Sequence, residues 1–323
     1  MTKYKKILKN IHQITIDNQK TKGGEIIWLN ITNPGKDEIQ HLRNSKKYNF
    51  ALTHLQASSI KAVSQRPLVE KYGDYIFLIL HFPILKGDAI IAEEVEFFIG
   101  KNYLVTLHKN IRIINDFFSI CKKDGDRLLS TIHESSSLLL YEILEKLMNS
   151  TFALVDKYSI EIQKIEEVIF EQESKKAVST ILTLRRNIIN TRKILQNHKN
   201  IIKTLMLPDT ELIDHDETKK YFSRLLELSK RIWENFESQK EMIDVLNSTN
   251  ESLLNFRISN IMKTLTIFSV IVFPLTLFAA IFGMNTMGGM PFVDNPHGFW
   301  LIIAMMFFGS LCMLLFFEKK KWM

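Results

Sequence analysis

Steps of alternating three and four residues from Ser238 land on Ser238, Glu241, Val245, Ser248, Ser252, Asn255, Ser259, Met262, Thr266, Ser269, Phe273, Thr276, Ala280 and Gly283. Such a spacing traces one heptad seam along a helix, and this seam is mostly small or polar. Thr266, Ser269 and Thr276 offer neutral oxygens in a stretch, Thr264 to Val293, that contains no Asp, Glu, Lys or Arg. Neutral oxygens suit a cation that keeps its water shell, and Mg²⁺ is such a cation because it dehydrates reluctantly. Met262, flanked by Leu265, and Phe273 are the bulky apolar positions, and apolar constrictions in a water-filled passage close by dewetting. Asn285, just beyond Gly283 and Met284, adds amide oxygens at the outer end of the seam.

The elements that hold this seam are two uncharged runs. The first is Thr264 to Val293; the second, Asn295 to Phe317, follows the single charge of Asp294. A membrane-crossing helix needs about 20 mostly apolar residues, so the chain has room for two spans joined by a tight, glycine-rich turn. Arg257 and Lys263 precede the first run and Lys319, Lys320 and Lys321 follow the second, while the connecting loop has neither Lys nor Arg. The positive-inside bias places both termini in the cytoplasm. A lone helix in lipid gains nothing from a polar stripe. The seam therefore faces other helices, through tight packing of small residues with interhelical hydrogen bonds, or water, as the lining of a pore built from several copies. Its continuation far ahead of the span favours a pore with a long cytosolic neck.

Ahead of the spans the chain is polar. Residues 1–130 read as a mixed α/β domain, with strands at 25–31, 74–80, 94–99 and 103–108 and a hairpin turn at Gly100-Lys101-Asn102. Helical patterns cover about 36–45 and 52–63. Residues 131–206 read as a helical hairpin that breaks near Gln172–Lys176, its second helix running over about 177–205. A stalk helix starts around Asp214–Glu217 and meets no Gly or Pro until Pro274, which should loosen it next to Phe273. About seventy helical residues span on the order of 100 Å. The organisation predicted is thus an α/β domain (1–130), a hairpin (131–206), a stalk (207–263), a membrane hairpin (264–317) and a basic tail (318–323).

Composition excludes several classes. The net charge of +7 is spread along 323 residues with no compact basic patch interleaved with aromatics, which argues against nucleic acid. Cys121 and Cys312 fall in the soluble body and the second run, so no disulfide is expected and a reducing cytosol fits. Met1 to Ile16 is basic without the apolar core of a signal peptide. No GxxxxGK[ST] phosphate loop, G-x-S-x-G elbow or H-E-x-x-H pair occurs, and the nine histidines are scattered, so neither an enzyme nor a resident cofactor is expected.

Met262-Lys263-x-Leu265-Thr266-Ile267, Pro274-Leu275-Thr276, Phe282-Gly283-Met284-Asn285 and Met290-Pro291 together resemble the CorA family of divalent-cation channels, whose signature is Gly-Met-Asn just outside the first of two C-terminal spans. The order of parts extends the likeness over nearly the whole chain. The resemblance implies an α/β/α sandwich followed by a helical hairpin, a stalk and two spans, assembled as a funnel-shaped homopentamer in the inner membrane. It implies passive uptake of Mg²⁺, with Co²⁺ and Ni²⁺ as lesser substrates, through a pore lined by the first span. Asn285, supported by Gly283 and Met284, would bind the hydrated ion at the entrance. Thr276 would form a polar ring below, Met262 and Leu265 a hydrophobic gate, and Lys263 with Lys319, Lys320 and Lys321 a basic collar, a role that competes with simple positive-inside anchoring.

Three departures from the family pattern stand out. Phe273 occupies a position where methionine is common, which narrows the passage. The loop Thr286 to Pro296 carries only Asp294 where the family often has glutamates, which weakens the attraction for cations. The acidic pair by which the best-known members sense cytosolic Mg²⁺ corresponds to Ser58 and Ser59 against Arg224, which cannot hold a divalent ion by charge. The acidic cluster with Asp214, Asp216 and Glu217 is a substitute sensor, or caps the stalk helix. Gly288-Gly289 resembles the zinc-transporting branch, so a proton-coupled Zn²⁺ transporter is the alternative, and a non-conducting membrane scaffold is the third reading.

Overall fold

The computed structural model describes residues 3–18, 24–45, 50–57, 66–132, 135–170, 174–207, 216–284, 291–292, 295–320 and 322. Two compact units divide the chain, Met1–Asn247 and Ser248–Met323.

The first unit is built on β-branched and aromatic runs that pair into one seven-stranded sheet of order β1-β2-β3-β7-β6-β5-β4. The strands are β1 (Lys3–Lys6), β2 (Ile11–Asn18), β3 (Gly24–Thr32), β4 (Leu68–Tyr72), β5 (Tyr75–Lys86), β6 (Ala89–Gly100) and β7 (Tyr103–His108). Only β3 and β7 run parallel, Ile27 facing Tyr103; the other neighbours are antiparallel. β6 and β7 turn at Lys101-Asn102 with Gly100 paired to Tyr103, as the sequence predicts. A Cβ on Gly100 would sit 2.3 Å from the Tyr103 ring, so glycine lets the ring lie across the strand end. Pro83 lies inside β5 without breaking it. The β4 ladder ends at Ile79, so no strand needs a donor from the proline on that side.

Alternation along the strands gives the sheet two apolar faces. One carries Leu29, Ile31, Phe77, Ile79, Phe98 and Leu107, packed with Leu42 of α1 (Lys36–Asn44), Leu55 of α2 (Leu52–Ala57) and Phe50 between those helices. On the other, Trp28 meets Phe117 and Phe118 of α3 (Arg112–Ile132) at ring distances of 5.5 and 4.9 Å. Further along this face pack α4 (Ser136–Phe170) and α5 (Ser174–Leu195). Helices on both faces make the α/β/α sandwich that was expected.

The structure corrects several expectations. β1, β2 and β4 were not anticipated: Lys3–Lys6 and much of Leu68–Tyr72 are exposed edge residues, whereas β2 is an inner strand that buries Ile11, Ile14 and Ile16. The helix expected over 177–205 is two, α5 and α6 (His198–Leu205). His198 is fully buried and its Nε2–H donates to the His81 carbonyl at 2.7 Å, a bond that ties α6 to β5 after the turn at Gln196-Asn197. Of the helix expected over 52–63, Leu52–Ala57 is observed and 58–63 lies outside the described residues. The long helix α7 (Asp216–Phe282) passes through Pro274 without interruption, although proline leaves the Val270 carbonyl without its usual i+4 donor. The second unit contains the end of α7 and α8 (Gly298–Lys319).

Candidate functional site

α7 positions the candidate residues, and it carries two seams. In the first unit Phe222, Leu225, Ser229, Ile232, Phe236, Gln239 and Ile243 are buried at alternating steps of three and four. α4 lies parallel to this stretch: Tyr141 meets Tyr221, Tyr158 meets Phe236, and Gln239 Nε2 donates to the Val155 carbonyl at 2.7 Å. α5 runs antiparallel to it and is tied by two ion pairs, Arg185–Asp244 at 2.8 Å and Arg192–Glu237, with the Arg192 guanidinium also 5.0 Å from the Trp233 ring.

The second seam is the one traced from the sequence, and it is exposed along its described length, apart from half-buried Ser269. Met262 and Leu265 are each 55 % exposed and Phe273 73 %. Within the span portion of α7 the buried residue is Ile267. At about 100° per residue, Met262, Leu265, Ser269, Phe273, Thr276 and Ala280 lie within about 60° of the side opposite Ile267. The chain covers one side of this helix and leaves the polar side to something else.

The hydroxyls on that side are oriented. Thr266 donates to the Met262 carbonyl at 2.8 Å, Ser269 to Leu265 at 2.9 Å and Thr276 to Val272 at 2.9 Å. Each hydroxyl has one proton and two lone pairs. With the proton spent on the helix, the outward oxygen acts as an acceptor, the polarity that receives protons from the water shell of a cation.

Of the remaining candidates, Ser259, Thr266 and Ala280 are exposed on α7 and Lys263 is half-buried. Gly283 continues the helix through its N–H to the Ala279 carbonyl at 2.9 Å, and a Cβ there would press on that carbonyl at 3.0 Å. Met284 is exposed. Asn285 lies outside the described residues, as do Lys321, Asp214, Ser58 and Ser59. Asp216 opens α7 and Glu217 follows in its first turn; Lys319 and Lys320 are exposed at the end of α8. No group of three or more His, Cys, Asp or Glu among the described residues is placed to hold a metal ion.

Arg224 stands in a tyrosine–carboxylate network. Its guanidinium lies 5.9 Å from the Tyr221 ring, which packs on Tyr141, and the Tyr141 hydroxyl donates to Glu145. Burial, and then the charge of Glu145, hold the neighbouring Glu142 carboxyl above its ordinary range. Sequence reasoning missed the α5–α7 clamp. Its signal was present as Arg185/Arg192 and Glu237/Asp244, two pairs of opposite charge each seven residues apart. Cys121 is buried, which pushes its thiol up to about 12, and Cys312 is exposed on α8; both are free.

Comparison with known proteins agrees with this architecture. The model of the CorA-like Mg²⁺ transporter protein family matches residues 23–320. The cobalt/magnesium transport protein CorA of Thermotoga maritima is 28% identical over 92% of this chain and 83% of that one. A putative metal ion transporter of Bacillus subtilis, YfjQ, is 26% identical over 97% and 98%. The complete structure of the CorA magnesium transporter from Methanocaldococcus jannaschii superposes with a TM-score of 0.83 over 98% of this chain and 100% of that one, at 22% identity. α7 and α8 both contain segments long and apolar enough to cross a membrane. With a sheet covered by helices on both faces, two C-terminal apolar helices and a family match over nearly its whole length, the chain belongs to the CorA-like Mg²⁺ transporter family.

Proposed function

We propose that this protein is a passive channel for hydrated Mg²⁺, with Co²⁺ and Ni²⁺ as further substrates, formed by a homopentamer in the inner membrane with both termini cytoplasmic. The observation that carries the reading is the exposed seam of α7, opposite the side the chain itself covers and lined with hydroxyls whose protons are already committed. Turned inward by several copies, Thr276 and Ser269 accept hydrogen bonds from the first-shell waters of the ion and Asn285 holds that hydrated ion at the entrance. Phe273 narrows the passage, and Met262 with Leu265 closes it by dewetting when the helices approach. No cofactor and no nucleotide is needed. The membrane potential supplies about 2.3 kcal/mol per charge per 100 mV, hence about twice that for a divalent ion.

The test is metal uptake by liposomes containing the full chain under an inside-negative potential, with Mg²⁺, Co²⁺, Ni²⁺ and Zn²⁺ supplied separately. Mg²⁺ entry that Asn285→Ala abolishes is the expected result. Zn²⁺ flux that requires a pH gradient, without Mg²⁺ flux, would establish the zinc-transporting alternative. A folded oligomer that passes no ion would establish a scaffold.

A further inference from the structure

α8 ends in a back-bonded closure of a kind common at helix C-termini. The Lys320 N–H bonds to the Phe316 carbonyl at 3.1 Å, and the Trp322 N–H reaches back to the Phe317 carbonyl at 3.0 Å. This closure lays the Trp322 indole over the Phe317 ring, with centroids 5.9 Å apart and planes 25° from parallel. Phe317 is buried, Trp322 remains 47 % exposed, and Lys319 and Lys320 project beside them as exposed side chains. A second aromatic pair, Phe299 and Trp300, with rings 5.7 Å apart, marks the start of the same helix, and both residues are more than two-thirds exposed. Residues 298 to 317 rise about 30 Å, the thickness of a bilayer's hydrocarbon core. The two aromatic pairs thus stand one hydrocarbon thickness apart, at the depth where Trp is favoured, and only the second pair has lysines beside it.

We propose that the folded-back end of α8 (Phe317, Lys319, Lys320 and Trp322) is a binding surface for anionic phospholipid headgroups of the cytoplasmic leaflet. The indole packs on Phe317 at the level of the acyl–headgroup boundary, and its ring N–H is an edge donor suited to a phosphate or ester oxygen. Lys319 and Lys320 sit at the negative end of the helix dipole, where cations are favoured, and they pair with lipid phosphate. The proposal rests on the membrane reading of α8 but not on ion conduction.

The test uses the full chain in phosphatidylcholine vesicles doped with brominated lipid, a short-range quencher of indole fluorescence. The difference between wild type and Trp322→Phe isolates the Trp322 signal. Brominated phosphatidylglycerol is expected to quench Trp322 in strong preference to brominated phosphatidylcholine. At about 1 kcal/mol per surface lysine, the paired substitution Lys319→Gln/Lys320→Gln removes about 30-fold of that preference, Lys319→Arg/Lys320→Arg retains it, and salt weakens it. Equal quenching by the two lipids, a Gln variant that keeps the preference, or a Trp322 that neither lipid reaches would overturn the proposal. Membrane partition and ion flux are scored in parallel. A protein that inserts and conducts while Trp322 is unreachable defeats the lipid surface alone, whereas one that fails to insert defeats the channel reading as well.

Discussion

α7 before Asn247 and α7 after it make an instructive pair. Before that point the helix buries Phe222, Phe236 and Ile243 against α4 and α5, and its charged side is tied down by Arg185 and Arg192. Beyond it the same helix keeps the same heptad spacing, yet Ile267 is the one residue of its span that the chain buries. One half is complete within a single chain. The other leaves Phe268 and the seam of Thr266, Ser269 and Thr276 largely uncovered, and on the proposed reading lipid meets the first and further copies with water meet the second.

That contrast can be broken by experiment, most strongly with acid. His108 and His198 are buried in the first unit, and burial lowers both to about 4 from an ordinary 6.5. Ile111 N–H donates to His108 Nδ1 at 2.8 Å, which leaves Nε2–H to donate to Asn30 at 2.9 Å, so the neutral ring is the one the fold requires. The unfolded chain binds these protons more tightly. The stabilisation is therefore complete above pH 6.5 and is lost as pH falls towards 4, on the order of 3 kcal/mol per histidine. His297 is the only histidine after Asn247. Limited proteolysis across this pH range should open the first unit while cleavage after Asn247 stays unchanged; equal sensitivity on both sides would contradict the comparison.

Next in size is a pair of phenylalanine truncations. Phe236→Ala, at a fully buried site, should cost about 3–5 kcal/mol in denaturant unfolding of the purified protein. Phe273→Ala should leave that midpoint in place and raise resting cation leak in liposomes instead. A smaller effect is expected from Thr276→Val, which keeps the shape and removes the oxygen. Loss of one hydrogen bond of about 1 kcal/mol predicts roughly fivefold slower Mg²⁺ flux with folding intact, and Thr276→Ser should restore it. The smallest is Arg185→Ala. Its partly exposed pair with Asp244 is worth about 0.2–1 kcal/mol, a shift in the thermal unfolding midpoint that added salt should erase in the wild type.

Much of this architecture was legible in the residues themselves. The two uncharged runs, the stretch without Gly or Pro up to Pro274 and the Gly100-Lys101-Asn102 turn report local chemistry, and local chemistry is what a sequence displays. The seam was legible for the same reason: helical spacing alone sets which residues share a side, and the structure finds that side uncovered. What stayed hidden depends on partners distant in the chain. Lys3–Lys6 is a strand only because it pairs with His12–Thr15. The break between α5 and α6 accompanies the bond of His198 to the His81 carbonyl, 117 residues away. The surroundings of Arg224 were hidden for the same reason: its guanidinium lies over Tyr221 of its own helix, and Tyr221 packs on Tyr141 of α4, eighty residues earlier, while Ser58 and Ser59, the positions matched against it, lie outside the described residues.

The back-bonded hydroxyls of Thr266, Ser269 and Thr276 carry one more consequence. A passage walled by oxygens whose protons point into the helix would have no donor to offer a halide. Anions would then be turned away by the orientation of uncharged groups. Nothing ionisable is involved between Thr264 and Val293, so this sign discrimination would be the same in acid as at neutral pH and would not fade as salt is added.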